Sequence, residues 1–437
     1  MMTPTSTFLT SDSIGVESSY AWVRLLAALV LSTIGGVALW STAVVLPAIQ
    51  VEFGLDRAGA SLPYTAVMLG FVAGGPAMGW LADRFGIALP AAISAAMLGS
   101  GLLLSSQVAV MWQFTLLHGL FIGVGGSASF GPLIADISLW FDRRRGIAVA
   151  ICSSGSYLAG TIWPLVIQPL IGSIGWRNTY FGIGVFCLAT MLPLIFVFRR
   201  RSPAFGECLA ASAQAVRAMF PPGITGAKLQ LLLMMAGVSC CIAMAMPQVH
   251  IVAYCVDLGY GTANGARMLS LMLGAGIVSR LSFGWIADRI GPLPSLLLSS
   301  SLQAASLLLY FGSDALMSLY AVSGLFGLVQ GGIVVTYTLI IREYYSPLEA
   351  GSRIGLVLSS TLAGMAVGGW MSGAIFDATL SYRAAFLNGF AWNLLNMAIA
   401  GWLLWRLPRS GDLRSHESMS TMGRRAPRPA CLVAARR

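Results

Sequence analysis

One arginine, Arg280, stands inside the apolar stretch GIVSRLSFGWIADRIG, and no Asp or Glu falls within a helical turn of it. A guanidinium grips a carboxylate through two parallel N–H···O bonds, a geometry that a lysine ammonium does not offer. At 1.5 Å per residue Arg280 lies about 12 Å from Asp288 along one helix, near the middle of an apolar layer about 30 Å thick. A central arginine in lipid costs about 2.5–3.5 kcal/mol, so Arg280 is expected to face a cavity and an anion. A second apolar stretch, PQVHIVAYCVDLG, carries Gln248, His250 and Tyr254 just behind Pro247. That proline removes a backbone donor and is expected to kink the helix around Ala243, and such irregular helices line cavities. His250 is read as a group that hydrogen-bonds a substrate or exchanges a proton. Gln248, Tyr254, Tyr337, Trp40 and Trp163 are read as wall residues with apolar bodies and polar tips. Packing inside a helix bundle is the competing explanation for each of them, and for His118.

The residues exclude other chemistry. No nucleophile stands beside a base, no cofactor motif appears, and the Gly-rich stretches at 123–131 and 364–373 do not match G-x-x-x-x-G-K-[ST]. An enzyme is therefore not expected, nor a cofactor, nor a metal. Cys152, Cys187, Cys240, Cys241 and Cys255 fall in or at the edge of apolar runs, and Cys208 and Cys431 in polar segments. Their spacing gives neither a disulfide framework nor a zinc site.

Elements able to hold an arginine in an apolar layer must cross a membrane, and the composition requires it. Of 437 residues 57% are hydrophobic and only 10% charged, with a mean hydropathy of +0.79, a balance that a water-facing globule does not keep. Twelve apolar runs long enough to span a bilayer are expected, at 21–50, 62–82, 87–106, 111–139, 146–171 and 179–198, then 229–256, 266–287, 294–312, 316–341, 354–377 and 384–407. The fold class is all-α and membrane-embedded. Basic residues accumulate on one side: Arg84, Arg143, Arg144, Arg145, Arg199, Arg200, Arg201, Arg217, Lys228, Arg289, Arg342 and Arg353, with the Arg-rich tail. The other side keeps Arg57, Arg177, Arg267 and Arg383. Both termini are accordingly expected in the cytoplasm. The net charge of +10 lies mostly in those loops and the tail, so anionic lipid rather than nucleic acid is the expected partner. The first run is too long for a cleaved signal peptide.

The two halves repeat. GWLADRFG at 79–86 and GWIADRIG at 284–291 match Gly79, Asp83 and Arg84 to Gly284, Asp288 and Arg289, at an offset of 205 residues. GLFIGVGG from Gly119 and GLFGLVQGG from Gly324 keep that offset, as do Trp140 and Tyr345, and GWRNTYF at 175–181 aligns with SYRAAF within one residue of it. Repeats of this kind place a substrate site at their interface. The expected plan is a segment 1–20, a six-helix bundle 21–198, a cytoplasmic linker 199–228, a second bundle 229–407 and a basic tail 408–437.

The G-x-x-x-D-R-x-G element after the second and eighth helices resembles the loop signature of the major facilitator superfamily, and the likeness covers nearly the whole chain. The resemblance implies a twelve-helix fold of two pseudo-symmetric bundles. It also implies that Gly79, Asp83 and Arg84, with Gly284, Asp288 and Arg289, latch the cytoplasmic side while the protein opens outward; Asp136 is the expected partner for Arg84. WFDRRRGIAVAICSSGSYLAG at 140–160, PQVHIVAYCVDLG at 247–259 and GIVSRLSFGWIADRIG at 276–291 resemble the monocarboxylate porter and oxalate/formate antiporter families, as a bacterial member. Such carriers place an arginine that meets the substrate carboxylate where this chain has Arg280. Two departures stand out: Gly276 replaces an acidic residue found in many relatives, and the lysine of the first or eleventh helix of some relatives is absent, Lys228 being the only lysine.

The expected function is secondary transport of a small, monocarboxylate-like organic anion by alternating access, coupled to a proton or a counter-anion, in an inner membrane and as a monomer. Efflux of drug-like amphiphiles is the alternative, weakened because 155–169 lacks a G-P-x-x-G-G ending. A non-transporting sensor is the other alternative.

Overall fold

In lipid a backbone N–H or C=O finds no water, so each crossing segment satisfies its own hydrogen bonds as a helix. The computed structural model describes residues 17–141, 144–200, 225–345 and 347–406. Residues 201–224 of the expected linker, the segment before Glu17 and the basic tail lie outside the described residues, as do Cys208 and Cys431.

The first bundle holds α1 (Ser19–Phe53), α2 (Arg57–Phe85), α3 (Ala88–Ser105), α4 (Met111–Ser138), α5 (145–174) and α6 (176–194). The second holds α7 (Gly226–Asp257), α8 (Gly261–Ile290), α9 (Pro292–Phe311), α10 (Leu316–Tyr344), α11 (Pro347–Thr379) and α12 (Tyr382–Arg406). Among the described residues, ten helical runs are long and apolar enough to cross a membrane. One of them, Gly146–Phe198, has 53 residues, about 80 Å at helical rise and too long for one pass. It breaks at Gly175 (φ 80°), which separates α5 from α6. With α12 packed on α7 and α9, the arrangement is consistent with twelve passes.

Large apolar side chains point outward along the helices, among them Leu26, Trp112, Phe196, Leu281 and Met317. Water would not tolerate so continuous an apolar surface, and lipid requires it. Inside the bundles, small residues bring backbones together. A Cβ at Gly70 of α2 would stand 2.3 Å from the Gly119 carbonyl, at the π-helical turn His118–Gly123 of α4. In the second bundle a Cβ at Gly327 of α10 would meet the Met272 carbonyl of α8 at 2.1 Å. Larger side chains at either site would force the helices apart. The five described cysteines are buried and free, in agreement with a packing role. Helix α7 runs continuously through Pro247.

Candidate functional site

The two bundles touch chiefly through α2 against α11 and α5 against α8. At one end of these pairs the contact is tight, and at the other the bundles part around a cavity of about 980 Å³. Gly79, Asp83, Arg199 and Gly351 line its mouth, so it opens on the side of the basic loops. Trp40, Tyr64, Gln248, Leu273 and Arg280 line it further in. Four arginines (Arg24, Arg199, Arg200 and Arg280) and two aspartates (Asp83 and Asp136) are on its wall.

Arg280 of α8 reaches across the bundle junction. Its Nη1 donates to the Ser153 carbonyl of α5 at 2.9 Å, and its Cζ lies 4.3 Å from the centre of the Tyr157 ring. Its Nε is buried with no hydrogen-bond partner, and among the described residues no carboxylate lies within ion-pair distance. A guanidinium braced by a carbonyl and a ring, with donor capacity left over, suits an incoming anion. The sequence departure at Gly276 has a physical reason here. A Cβ at 276 would fall 2.3 Å from the Tyr157 ring, so an acidic side chain one turn before Arg280 would displace the aromatic ring on which Arg280 rests.

The opposite end is sealed. Arg57, at the first turn of α2, donates from Nη2 to Asp257 of α7 at 2.5 Å and also to the Gln50 side chain of α1. Both oxygens of Asp377 of α11 accept from the Arg57 and Ala58 backbone N–H groups, at 2.8 and 2.7 Å. Asp56 accepts from the next N–H, that of Gly59. The free donors of a helix N-terminus are thus met by one carboxylate of its own chain segment and one from the other bundle. Gly373 makes the approach possible, since a Cβ there would stand 2.8 Å from the Arg57 carbonyl. Gln168 of α5 donates to Thr262 of α8 at 2.9 Å, and Thr65 to the Ala366 carbonyl at 3.0 Å, which extends the seal along both helix pairs.

The family model described as Major Facilitator Superfamily matches residues 28–318 and 268–429. The chain belongs to the major facilitator superfamily. It is a multi-pass membrane transporter by that membership. The MFS-type transporter pynF of Aspergillus niger is 27% identical over 70% of this chain and 69% of its own length. Monocarboxylate transporter 13 of Bos taurus is 27% identical over 75% and 76%. Among solved structures, a bacterial homolog of the human lysosomal transporter Spinster, inward-facing and occupied, superposes with a TM-score of 0.66 at 14% identity, over 89% of this chain and 97% of that one.

Within this transporter the wall residues expected from sequence divide. Arg280, Gln248 and Trp40 line the cavity; Trp40 donates to the Ser156 carbonyl at 3.0 Å and Gln248 to Gln330 at 2.7 Å. His250, Tyr254, Tyr337 and Trp163 do not. His250 is fully buried, with Nε2–H donating to the Gly369 carbonyl at 2.8 Å and Nδ1 facing the Tyr382 hydroxyl at 3.5 Å. Both ring nitrogens are occupied, so the reading of His250 as a substrate or proton contact gives way to a structural one. Tyr337 donates to Asn396 at 2.9 Å inside the second bundle. Tyr254 faces Asp314 at the sealed end, and Trp163 donates to the Thr33 carbonyl of α1. His118 is likewise buried, against the Phe114 carbonyl and Tyr180. Each has a partner within its own bundle, which is why a polar tip in an apolar run does not by itself indicate a cavity wall.

The latch residues lie at the parted end. A Cβ at Gly79 or Gly284 would meet nothing within 4 Å, and neither Asp83 nor Asp288 is in an ion pair among the described residues. Arg84 stacks on Trp80 and Phe85, and Arg289 on Trp285. The expected pairing of Asp136 with Arg84 is corrected: both Asp136 oxygens accept from Arg24 of α1, at 2.8 and 2.9 Å. Arg24 is 0% exposed and lies between the Trp140 and Phe198 rings, at 4.8 and 4.9 Å, a position only a planar cation fills well.

Proposed function

We propose that this transporter carries a small organic anion by alternating access, using the movement of a proton or an exchanged anion as its energy source. The observation that carries the reading is Arg280: a braced guanidinium on the wall of the cavity between the bundles, with a buried Nε left unpaired and, among the described residues, no carboxylate beside it. The excess of arginine over aspartate along the wall supports it, because a cleft lined by one sign of charge concentrates the opposite one. The basic loops at the open end support a cytoplasmic orientation for that end, and on this reading the conformation described is inward-open. In the opposite state the mouth closes, and Gly79 and Gly284 become the points where helices meet.

The reading is tested by uptake into proteoliposomes of labelled mono- and dicarboxylates, with cationic amphiphiles run in parallel. Saturable carboxylate uptake that responds to a pH gradient or to a trapped anion supports it. Uptake of the cations alone favours the second reading, efflux of amphiphiles, which the mostly apolar cavity wall recommends.

The seal gives its own expected result. Arg57→Ala removes the Asp257 and Gln50 contacts of a largely buried arginine, so the outward-open fraction is expected to rise at least tenfold, equivalent to about 1.4 kcal/mol. Spin labels on the sealed ends of α2 and α11 would report a second, longer distance. A distribution like that of the wild type would mean that packing, not this cation, holds the end shut.

A further inference from the structure

A second polar group of the cavity has no partner. Tyr64 of α2 lines the cavity toward its sealed end, is only 2% exposed, and its hydroxyl makes no hydrogen bond among the described residues. The ring lies against the other bundle: a Cβ at Gly369 of α11 would stand 3.0 Å from it. Buried hydroxyls almost always find a partner, and the neighbouring hydroxyls on the wall do so within their own helices, Ser127 to the Val124 carbonyl and Thr361 to the Leu358 carbonyl. The phenol at the deep end of the cavity thus keeps an unused hydroxyl.

Depth decides what cargo reaches it. Tyr64 lies 21 residues from the open end of α2 and Arg280 ten from that of α8, so at helical rise the two backbones differ in depth by about 16 Å. The Arg280 guanidinium is held against Ser153 and Tyr157 of α5, so a single cargo that touches both groups must bridge that difference in depth. A two- or three-carbon acid held by Arg280 does not bridge it. Between the two groups the wall is apolar, with Met68, Met244, Leu273 and Met365 on it.

We propose that the preferred cargo is an elongated, amphipathic organic acid, with its carboxylate on Arg280, an apolar body along the methionine-lined wall, and a hydroxyl or carbonyl oxygen at its far end bonded to Tyr64. The proposal rests on the anion reading above and sharpens it. Tyr64 is then a specificity-determining residue.

The test uses the purified full-length protein in detergent and three probes: 3-(4-hydroxyphenyl)propanoate, the matched 3-phenylpropanoate without the hydroxyl, and lactate. Affinities come from ligand-induced shifts in melting temperature for wild type, Tyr64→Phe and Arg280→Gln. The expected result is that the hydroxylated acid binds about tenfold tighter than its parent, with lactate weakest. Tyr64→Phe erases that tenfold gap and leaves 3-phenylpropanoate unchanged, while Arg280→Gln weakens both aromatic acids. Equal binding of the matched pair to wild type, or a Tyr64→Phe effect of the same size on both, overturns the role of Tyr64 while leaving the anion reading intact. Binding of all three probes that ignores Arg280→Gln overturns the anion reading itself. Tyr64→Phe keeps the ring that packs on Gly369, so its ligand-free melting temperature verifies that the fold is preserved.

Discussion

Arg280→Gln is expected to weaken organic-anion binding by about 30-fold or more while leaving the ligand-free protein nearly as stable as the wild type. Truncating one partner of a desolvated charge pair costs about 2–5 kcal/mol, and the lower figure is already about 30-fold. In the ligand-free protein the same change removes one bond to the Ser153 carbonyl and a ring contact, but it also relieves a cation with no carboxylate partner, so the two effects oppose each other. A ligand at 100 times its dissociation constant stabilises the wild type by about 2.7 kcal/mol; at that concentration a 30-fold weaker complex gains less than about 1 kcal/mol. Arg280→Lys keeps the charge and loses the planar fork, and is expected to fall between the two. The measurement is the ligand-induced melting shift, followed by uptake. Equal shifts in all three proteins would assign Arg280 to bundle contact alone.

Arg24, a second arginine of the cavity wall, should behave in the opposite manner. Arg24 already has its anion, and Asp136→Leu would leave a wholly buried guanidinium among Trp140, Phe198 and the Val197 carbonyl. Breaking such a pair costs about 3–5 kcal/mol, because the remaining charge stays desolvated. Arg24→Met is expected to cost a similar amount, through the unpaired carboxylate. The double replacement removes both charges and should recover most of the loss, as apolar substitutes for buried pairs commonly do. Thermal unfolding of the three variants checks this directly. If each single variant melts like the wild type, water from the cavity reaches the pair and the cation is not held as described.

Comparing the two arginines shows what the sequence could reveal. The helices, the repeat at 205 residues and the family were legible because membrane crossing imposes long apolar runs and because duplication leaves a constant offset. Arg280 was legible because it falls far from any run boundary with no acid nearby. Arg24 was not, since it stands near the start of an apolar run, where an arginine also reaches the headgroups; its partner is 112 residues away on α4. Tyr64 and Tyr157 gave no signal either. One is a tyrosine without a partner and the other fills the space that Gly276 leaves, and both properties belong to the packing of two bundles rather than to any local pattern. His250 was overread for the converse reason: Gly369 and Tyr382, which satisfy it, come from distant helices.

The carboxylate of Asp377 has a consequence for motion. It closes the first turn of a helix that belongs to the other bundle, so the bundles cannot part at that end without leaving the Arg57 and Ala58 amides unmet until solvent reaches them. Under the alternating-access mechanism proposed above, each cycle includes a small helix-end fraying step, and the exchange rate of those two amide protons becomes a clock for it. In hydrogen–deuterium exchange a peptide that begins at or before Leu55 and spans Arg57 and Ala58 should take up deuterium in proportion to the time spent open on that side, and cargo that favours the inward state should slow it.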